Sequence, residues 1–216
     1  RYTVDHYREE VEAVREAIDP EGEFYVYGQS WGGMLAQEYV LEYGEFVDKL
    51  VLANTLADTA TAYESMRGVL EELPAEDRET IEEFEAQRAY DDPEYEAALD
   101  GAYREHVCRT GEYPDPVLDT FEGVNLDVYG LMWGPNEYVL LETARLREWD
   151  VRDRLEEIGT DTLVLTGAHD EISPDIARDM ADRIPGADLH EFAESSHMPF
   201  WEEPEEHAAV LDTFLA

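Results

Sequence analysis

Lysine and cysteine are almost absent from this sequence of 216 residues. Among its 15 basic side chains only Lys49 is a lysine, and the others are arginines. Cys108 is the only cysteine, which excludes a disulfide within the chain. Nothing around it supports a catalytic thiol, so we expect Cys108 to be a small buried hydrophobic side chain.

Long uncharged apolar stretches are missing as well. No stretch approaches the roughly 18 apolar residues that a membrane-spanning helix needs, and no basic-then-apolar leader opens the sequence. Hydrophobic residues make up 44% of the chain, which argues against a disordered acidic tail. We therefore expect a globular, cytoplasmic protein without a membrane partner.

Positive charge is scarce. The chain has 54 Asp and Glu against 15 Lys and Arg, and its formal net charge is −39. Such a field repels phosphate backbones, so we expect no nucleic-acid partner. Because the acids are spread along the whole chain and lysine is nearly absent, the composition indicates a halophilic protein, in which salt screens the repulsion between acids. An acidic protein of a low-salt cell is the alternative.

A serine lies at a predicted turn between a strand and a helix. Strand-forming residues Phe24–Tyr27 lead into Gly-Gln-Ser-Trp-Gly at 28–32, and a helix-compatible run, Met34–Tyr43, follows. In a nucleophile elbow of this order the serine is strained at the apex, and the two glycines let strand and helix approach closely. We predict that Ser30 is a nucleophile; a glycine-rich turn with an incidental serine is the alternative.

Strands and helices alternate before and after a long helical stretch. Buried parallel strands are predicted at Phe24–Tyr27, 49–54, 162–167 and 188–192. Helices are predicted at 1–18 with Thr3 as N-cap, 34–43, 59–73, 75–90, 93–108, 151–158, 174–184 and from 204.

This pattern predicts an α/β core interrupted by an insertion. Residues 1–57 and 148–216 would form a partial core with a mostly parallel sheet, and residues 58–147 an inserted helical cap. A separate helical domain is the alternative. Because no strand precedes Phe24, we expect that the sheet's N-terminal strands are missing from this chain.

An aspartate and a histidine complete a candidate triad with the serine. Asp170 follows the end of a predicted strand, where open α/β sheets place functional groups, and Ser173 is a better cap for the next helix. Among 6 histidines, His197 lies in a loop with apolar neighbours after the last strand. We predict that Asp170 orients His197 as general acid and base, with a surface-loop histidine as the alternative.

The stabilisation of an oxyanion is only half accounted for. The backbone N–H of Trp31, which follows the candidate nucleophile, is one expected donor. No glycine-rich loop after an early strand is present to supply the second. Loss of one donor costs about 10²–10³ in rate, so we expect weak catalysis from this chain alone.

The motifs together resemble those of the proline iminopeptidase family of α/β-hydrolases. They are the elbow Gly-Gln-Ser-Trp-Gly-Gly, the helical cap, Gly-Pro-Asn-Glu at 134–137, Gly-Ala-His-Asp-Glu at 167–171 and Ser-His-Met-Pro at 196–199. The resemblance implies an α/β-hydrolase that removes N-terminal residues, chiefly proline, from peptides. The family's first strands and its His-Gly-Gly-Pro-Gly oxyanion loop are absent.

The same resemblance assigns the remaining site residues. It implies a triad of Ser30, Asp170 and His197, and binding of the substrate's N-terminal ammonium by Glu137 and Glu171, since a desolvated cation needs anionic acceptors. Short peptides with a free N-terminus would be the substrates. Most glutamates in so acidic a chain are simply solvated, which is the alternative.

Several aromatic residues are candidates for the wall of a proline pocket, although most aromatic side chains belong to the core. They are Trp31, Trp133, Tyr138, Phe200 and Trp201. We expect no cofactor, because no metal-ligand spacing or phosphate-binding loop is present. An esterase or other acyl hydrolase with the same triad is one alternative function, and a non-catalytic binding protein is another.

Overall fold

A parallel sheet forms the centre of the molecule. The computed structural model describes residues 2–22 and 24–216. Within them the strands are β1 (Phe24–Gln29), β2 (Val47–Ala53), β3 (Asp161–Gly167) and β4 (Asp188–Phe192). They pair in the order β1-β2-β3-β4, and every pairing is parallel. The carboxyl ends of the strands therefore lie along one edge of the sheet.

Helices surround this sheet and fill the segment between β2 and β3. They are α1 (Val4–Ile18), α2 (Trp31–Tyr43), α3 (Thr59–Val69), α4 (Ala75–Gln87), α5 (Pro93–Ala102), α6 (Asp115–Gly123), α7 (Leu126–Met132), α8 (Pro174–Arg183), α9 (Pro199–Glu202) and α10 (Pro204–Leu215). As predicted, Thr3 caps α1, since its hydroxyl accepts the N–H of His6 at 3.2 Å. None of the described helices is long and apolar enough to cross a membrane.

Each face of the sheet is buried by different helices. Side chains of β2 alternate between the faces, as the two-residue period of a strand requires. Leu50 and Leu52 belong to the large core cluster that includes residues of α2 and α8. Val51 and Ala53 pack instead with residues of β3, β4 and α10. Cys108 is 1% exposed, as the sequence predicted, and its Sγ lies 3.4 Å from the hydroxyl oxygen of Thr110.

The two ends of the segment between β2 and β3 lie side by side. Asp58 forms an antiparallel bridge with Asp150, and the N–H of Val151 donates to the carbonyl of Ala57 at 2.9 Å. The chain thus leaves and re-enters the α/β layer at one place. We propose that residues 58–147 are a helical cap inserted there, and the adjacency of its two ends supports this division.

One predicted helix of the cap changes its form near its end. The pattern predicted a helix over 93–108, whereas α5 ends at Ala102 and continues as a π-helical turn, Tyr103–Val107. The N–H of Cys108 reaches back to the carbonyl of Tyr103 at 3.0 Å, the wider spacing of a π-turn. Sequence periodicity does not distinguish these two forms.

The predicted helix over 151–158 is instead a 3₁₀ turn, Arg152–Glu157. Its first backbone N–H is held by the Asp150 carboxylate at 3.0 Å, and the N–H of Ile158 closes it on Leu155 at 3.2 Å. So short a run has little helical stability of its own, because isolated helices need about 12 residues or more to be stable. Tertiary contacts therefore decided its form.

Candidate active site

The turn between β1 and α2 places Ser30 at its apex in a strained conformation. Its φ is 53° and its ψ −122°, which is costly for a residue with a side chain. The N–H of Ser30 donates to Ala53 at 3.0 Å, and the hydroxyl of Thr55 donates to the Ser30 carbonyl at 2.7 Å. These bonds hold the turn against the end of β2.

The glycines of the turn have unequal roles. A Cβ on Gly28 would lie 2.4 Å from the carbonyl oxygen of Gly32, so Gly28 must be glycine, as predicted. The prediction that Gly32 must also be glycine is wrong, because a Cβ there would lie within 4 Å of no atom of the described residues. The second close approach belongs to Gly33, whose Cβ would lie 2.4 Å from the hydroxyl of Thr55.

The helix after the serine begins earlier than its sequence suggested. It starts at Trp31 instead of Met34, because the Ser30 carbonyl accepts the N–H of Gly33 at 2.9 Å and that of Met34 at 3.3 Å. Trp31 is therefore the first helical residue, and the N–H of such a residue has no acceptor within its own helix. This leaves it suited to hold an oxyanion.

Asp170 and His197 meet at the carboxyl edge of the sheet. Asp170 follows β3, His197 follows β4, and these strands are neighbours. His197 Nδ1 lies 2.9 Å from Asp170 Oδ1, and the two residues are 6% and 5% exposed. Gly167 permits the meeting, since a Cβ there would lie 2.1 Å from the carbonyl oxygen of Ser196.

Asn54 supports the aspartate and was not singled out from the sequence, which assigned it to a strand. It lies just past β2 with a φ of 48°. Its amide donates to Asp170 Oδ2 at 2.8 Å and to the carbonyl of Ser196 at 3.1 Å. The N–H of Ile172 donates to Asp170 Oδ1 at 3.0 Å, so both carboxylate oxygens are occupied. The tolerance of asparagine for positive φ is the only local signal.

The loop between β4 and α9 carries His197 and is here called the histidine loop. It also contacts β1, the strand that leads to Ser30. The amide of Gln29 donates to the carbonyl of His197 at 3.2 Å. The hydroxyl of Ser30 makes no hydrogen bond to any other described residue, and Ser30 is partly accessible. The turn, the acid and the histidine thus lie along the same edge, with an available hydroxyl at the apex.

Carboxylates around the imidazole change its affinity for a proton. Burial alone lowers the pKa of His197, but the charge of Asp170 and its hydrogen bond outweigh burial, and Glu171 and Glu137 act in the same direction. The net effect raises the pKa of His197 from 6.5 to about 9. The imidazolium is therefore well stabilised in this acidic surrounding.

Glu171 is a buried carboxyl without a complete set of partners. It is 2% exposed, and its Oε2 has no hydrogen-bond partner among the described residues. Burial raises its pKa to about 8; the charges of Glu137 and Asp170 act in the same direction, while that of His197 opposes it. The hydroxyl of Tyr138, 0% exposed, also makes no hydrogen bond of good geometry, but it lies near enough to the Glu171 carboxyl to act against the rise of its pKa. Such atoms are costly unless a ligand satisfies them.

Glu137 is held from two sides within the cap. The hydroxyl of Tyr103 donates to its Oε2 at 2.5 Å, and the indole N–H of Trp133 donates to its backbone carbonyl at 3.0 Å. Burial and Glu137 raise the pKa of Tyr103 well above 10, so its hydroxyl remains a donor. Tyr103 was missed in the sequence, where it carried no signal beyond its place in a helix.

A cavity of about 400 Å³ opens beside Glu137. Tyr103, Tyr129 and Glu96 are among its lining residues, whereas Ser30 and the aromatic candidates are not. The cavity therefore reaches Glu137, one of the two candidate ammonium acceptors, but it reaches neither Glu171 nor the hydroxyl of Ser30.

The aromatic candidates lie in different environments. Trp133 and Tyr138 are buried, Trp31 packs against Tyr7 at a centroid distance of 5.8 Å, and Trp201 is 38% exposed. In residues 2–22 and 24–216 no group of three or more His, Cys, Asp or Glu is arranged to hold a metal ion.

Comparison with known proteins adds independent information. Residues 1–204 match the α/β hydrolase fold family. A protein named "Proline iminopeptidase" from Saccharolobus solfataricus is 34% identical over 215 residues, a match that covers 99% of this chain and 69% of that protein.

Two solved structures are also similar. The proline iminopeptidase of Mycobacterium smegmatis is 33% identical with a TM-score of 0.88, covering 99% of this chain and 71% of that one. The protein named VinJ is 33% identical with a TM-score of 0.92, covering 99% and 72%.

Proposed function

Because this chain belongs to the proline iminopeptidase family of α/β hydrolases, we propose that it is a serine aminopeptidase that releases N-terminal proline from short peptides. The family and the fold class predicted from the motifs are thereby confirmed. The observation that carries the proposal is the buried hydrogen bond between His197 and Asp170, formed beside the strained turn of Ser30.

The proposed chemistry follows from the roles that this geometry permits. In its neutral form, which becomes more populated as pH rises towards the pKa of about 9, the imidazole of His197 donates its Nδ1–H to Asp170 and its Nε2 accepts the proton of Ser30. The serine oxygen then attacks the carbonyl carbon of the N-terminal residue, while the N–H of Trp31 stabilises the oxyanion. His197 passes the proton to the leaving amine, and water releases the acyl group by the reverse roles.

We further propose that Glu137 and Glu171 bind the substrate's ammonium group. Support comes from the buried Oε2 of Glu171, which lacks a partner among the described residues and which a cationic donor would satisfy. A charge-assisted bond to an ammonium also favours the ionised carboxylate that burial disfavours. An internal peptide bond offers no such cation, which would restrict cleavage to the N-terminus.

The cellular setting is a further part of the proposal. A cytoplasmic, salt-rich environment fits the single cysteine and the formal net charge of −39. The same charge argues against nucleic acid as a partner.

The test is release of an arylamine from prolyl, alanyl and acetyl-prolyl arylamides in concentrated KCl. We expect cleavage of the free-amine compounds, with proline preferred, and none of the acetylated one. Ser30→Ala should abolish release and labelling by a serine-directed phosphonate. Equal cleavage of the acetylated compound, or activity on esters alone, would instead identify a general acyl hydrolase.

A matched pair of variants isolates the ammonium site. Glu137→Gln should lower kcat/KM for the prolyl arylamide about 10- to 100-fold, because a hydrogen bond between charged groups is lost. Glu96→Gln removes the same charge from the lining of the same cavity and should have little effect. Equal losses in both variants would show that only the overall charge matters.

A further inference from the structure

One carboxylate outside the proposed triad collects four hydrogen bonds around the histidine loop. The Oε2 atom of Glu202, in α9, accepts the N–H of Ser196 at 2.8 Å and that of Met198 at 3.2 Å. Its Oε1 accepts the hydroxyl of Ser196 at 2.5 Å. The two backbone donors flank His197, so this carboxylate fixes the chain on both sides of the imidazole.

The fourth donor comes from the cap. The N–H of Arg109 donates to Glu202 Oε1 at 2.6 Å, across 93 positions of sequence. A carboxylate has about four acceptor sites, and here each one is used. Backbone N–H groups in loops need acceptors, and bonds to an ionised acceptor are roughly twice as strong as neutral ones. Glu202 therefore joins the histidine loop to the cap directly.

The cap residues 103–109, here called the cap turn, also contact the other parts of the site. The hydroxyl of Tyr103, at one end, donates to Glu137. In the middle, His106 Nδ1 lies 2.9 Å from the carbonyl oxygen of His169, and the His106 carbonyl accepts the N–H of Glu171 at 3.2 Å. These seven consecutive residues thus contact Glu137 at one end and the loop residues His169 and Glu171 in the middle, and Arg109 at the other end reaches the loop of His197.

We propose that Glu202 is a positioning residue that fastens the His197 loop to the cap turn, so that the general base keeps its place relative to the ammonium site. The inference rests on the proposed aminopeptidase function. Glu202 acts through the backbone of residues 196–198 and touches neither the nucleophile nor the substrate in this scheme.

The neighbouring glutamate provides a matched control. Glu203 accepts the N–H of Glu194 at 3.1 Å and the hydroxyl of Ser195 at 2.6 Å. It supports the same loop with the same charge from the adjacent position. Its two bonds lie on the strand side of the loop and do not extend to the cap turn.

The experiment compares Glu202→Gln with Glu203→Gln. The isosteric amide presents an N–H₂ group to two of the four donors, so two of the four hydrogen bonds to residue 202 are lost. We expect kcat for the prolyl arylamide to fall about 10- to 100-fold with KM nearly unchanged, since small misplacements of a reacting group have effects of this size. Glu203→Gln should change kcat far less.

A spectroscopic readout separates positioning from activity. The low-field proton resonance of His197 Nδ1–H, hydrogen bonded to Asp170, should shift or broaden in Glu202→Gln and remain in Glu203→Gln. Identical resonances and kcat values in the two variants would overturn the proposal. If the unaltered protein cleaves the acetyl-prolyl arylamide as fast as the prolyl arylamide, the proposed function fails, while the resonance still decides the role of Glu202.

A second pair of variants tests the cap contact without altering Glu202. Arg109→Pro deletes the backbone N–H, whereas Arg109→Ala keeps it and removes only the side-chain contact with Glu105. We expect Arg109→Pro to reproduce the resonance change of Glu202→Gln and Arg109→Ala to resemble the unaltered protein. Equal behaviour of the two would show that the link to the cap has no part in positioning, and would overturn the proposal.

Discussion

Replacing Asn54 by glycine removes two buried hydrogen bonds while leaving the backbone free to keep its conformation. The asparagine amide donates to Asp170 and to the carbonyl of Ser196, and the residue is 2% exposed. Its φ of 48° suits glycine and disfavours alanine. Asn54→Gly therefore isolates the side-chain contribution, and Asn54→Ala adds the backbone strain.

The expected magnitudes follow from the partners. A hydrogen bond to a charged group contributes about 1.5–3 kcal/mol and one to a neutral group about 0.5–1.5, so Asn54→Gly should cost about 2–4.5 kcal/mol. Alanine in a left-handed conformation should cost roughly 1–2 kcal/mol more. Because Asp170 keeps the N–H of Ile172 and the imidazole of His197, kcat should fall about 10- to 100-fold and not vanish.

Urea unfolding and arylamide hydrolysis in the same high-salt buffer would measure both effects. The isosteric Asn54→Asp, which places a second carboxylate beside Asp170, should destabilise the protein more as its charge develops above its pKa. The reasoning would be refuted if Asn54→Gly matched the unaltered protein in both stability and kcat. It would be refuted in part if alanine and glycine gave equal losses.

Three further predictions concern pH, salt and the elbow. Because the folded-state pKa values of His197 and Glu171 are raised to about 9 and about 8, protons stabilise the folded protein. Their contributions are fully present below the ordinary values of 6.5 and 4.5 respectively, and are lost as pH rises through about 9 and about 8. Urea unfolding from pH 6 to 10 should show the decline, and Glu171→Gln should flatten it; a stability that rises in that range contradicts the assignment. At a formal net charge of −39, the urea midpoint should rise with KCl concentration, and a flat dependence would count against salt adaptation. Gly28→Ala should cost about 1–3 kcal/mol because its Cβ meets the Gly32 backbone, whereas Gly32→Ala should be tolerated. Equal losses in thermal unfolding would contradict this distinction.

The parts of the site that local sequence could predict are those set by strand ends. Gly-x-Ser-x-Gly after a strand-forming run identified the turn of Ser30, and parallel strands bring their carboxyl ends to one edge. Asp170 and His197 each follow such an end, so both were expected at the same edge of the sheet, whereas the pairing of β3 with β4 is a finding of the structure. The structure brings these two side chains to 2.9 Å.

The supporting residues could not be predicted because their roles depend on contacts distant in sequence. Asn54 reaches a carboxylate 116 positions away, and Glu202 reaches an N–H 93 positions away. Neither belongs to a motif with fixed spacing. The need for glycine at Gly33 depends on Thr55, 22 positions along the chain, so it too is a tertiary property.

The departures from ordinary folding rules concentrate at this same edge. Among the described residues three non-glycine positions have positive φ: Ser30 and Asn54 belong to the site, while Arg88 is the left-handed cap that ends α4. The carboxyl of Glu171, with an unpartnered buried oxygen, is a further departure, and its burial is unfavourable in the absence of a cation. Strain and unmet hydrogen bonds persist only where surrounding contacts hold them, and Asn54 and Glu202 supply such contacts. A bound ammonium would remove the cost of the unpartnered Glu171 oxygen, so affinity for a free N-terminus and the stability of the folded site should rise together.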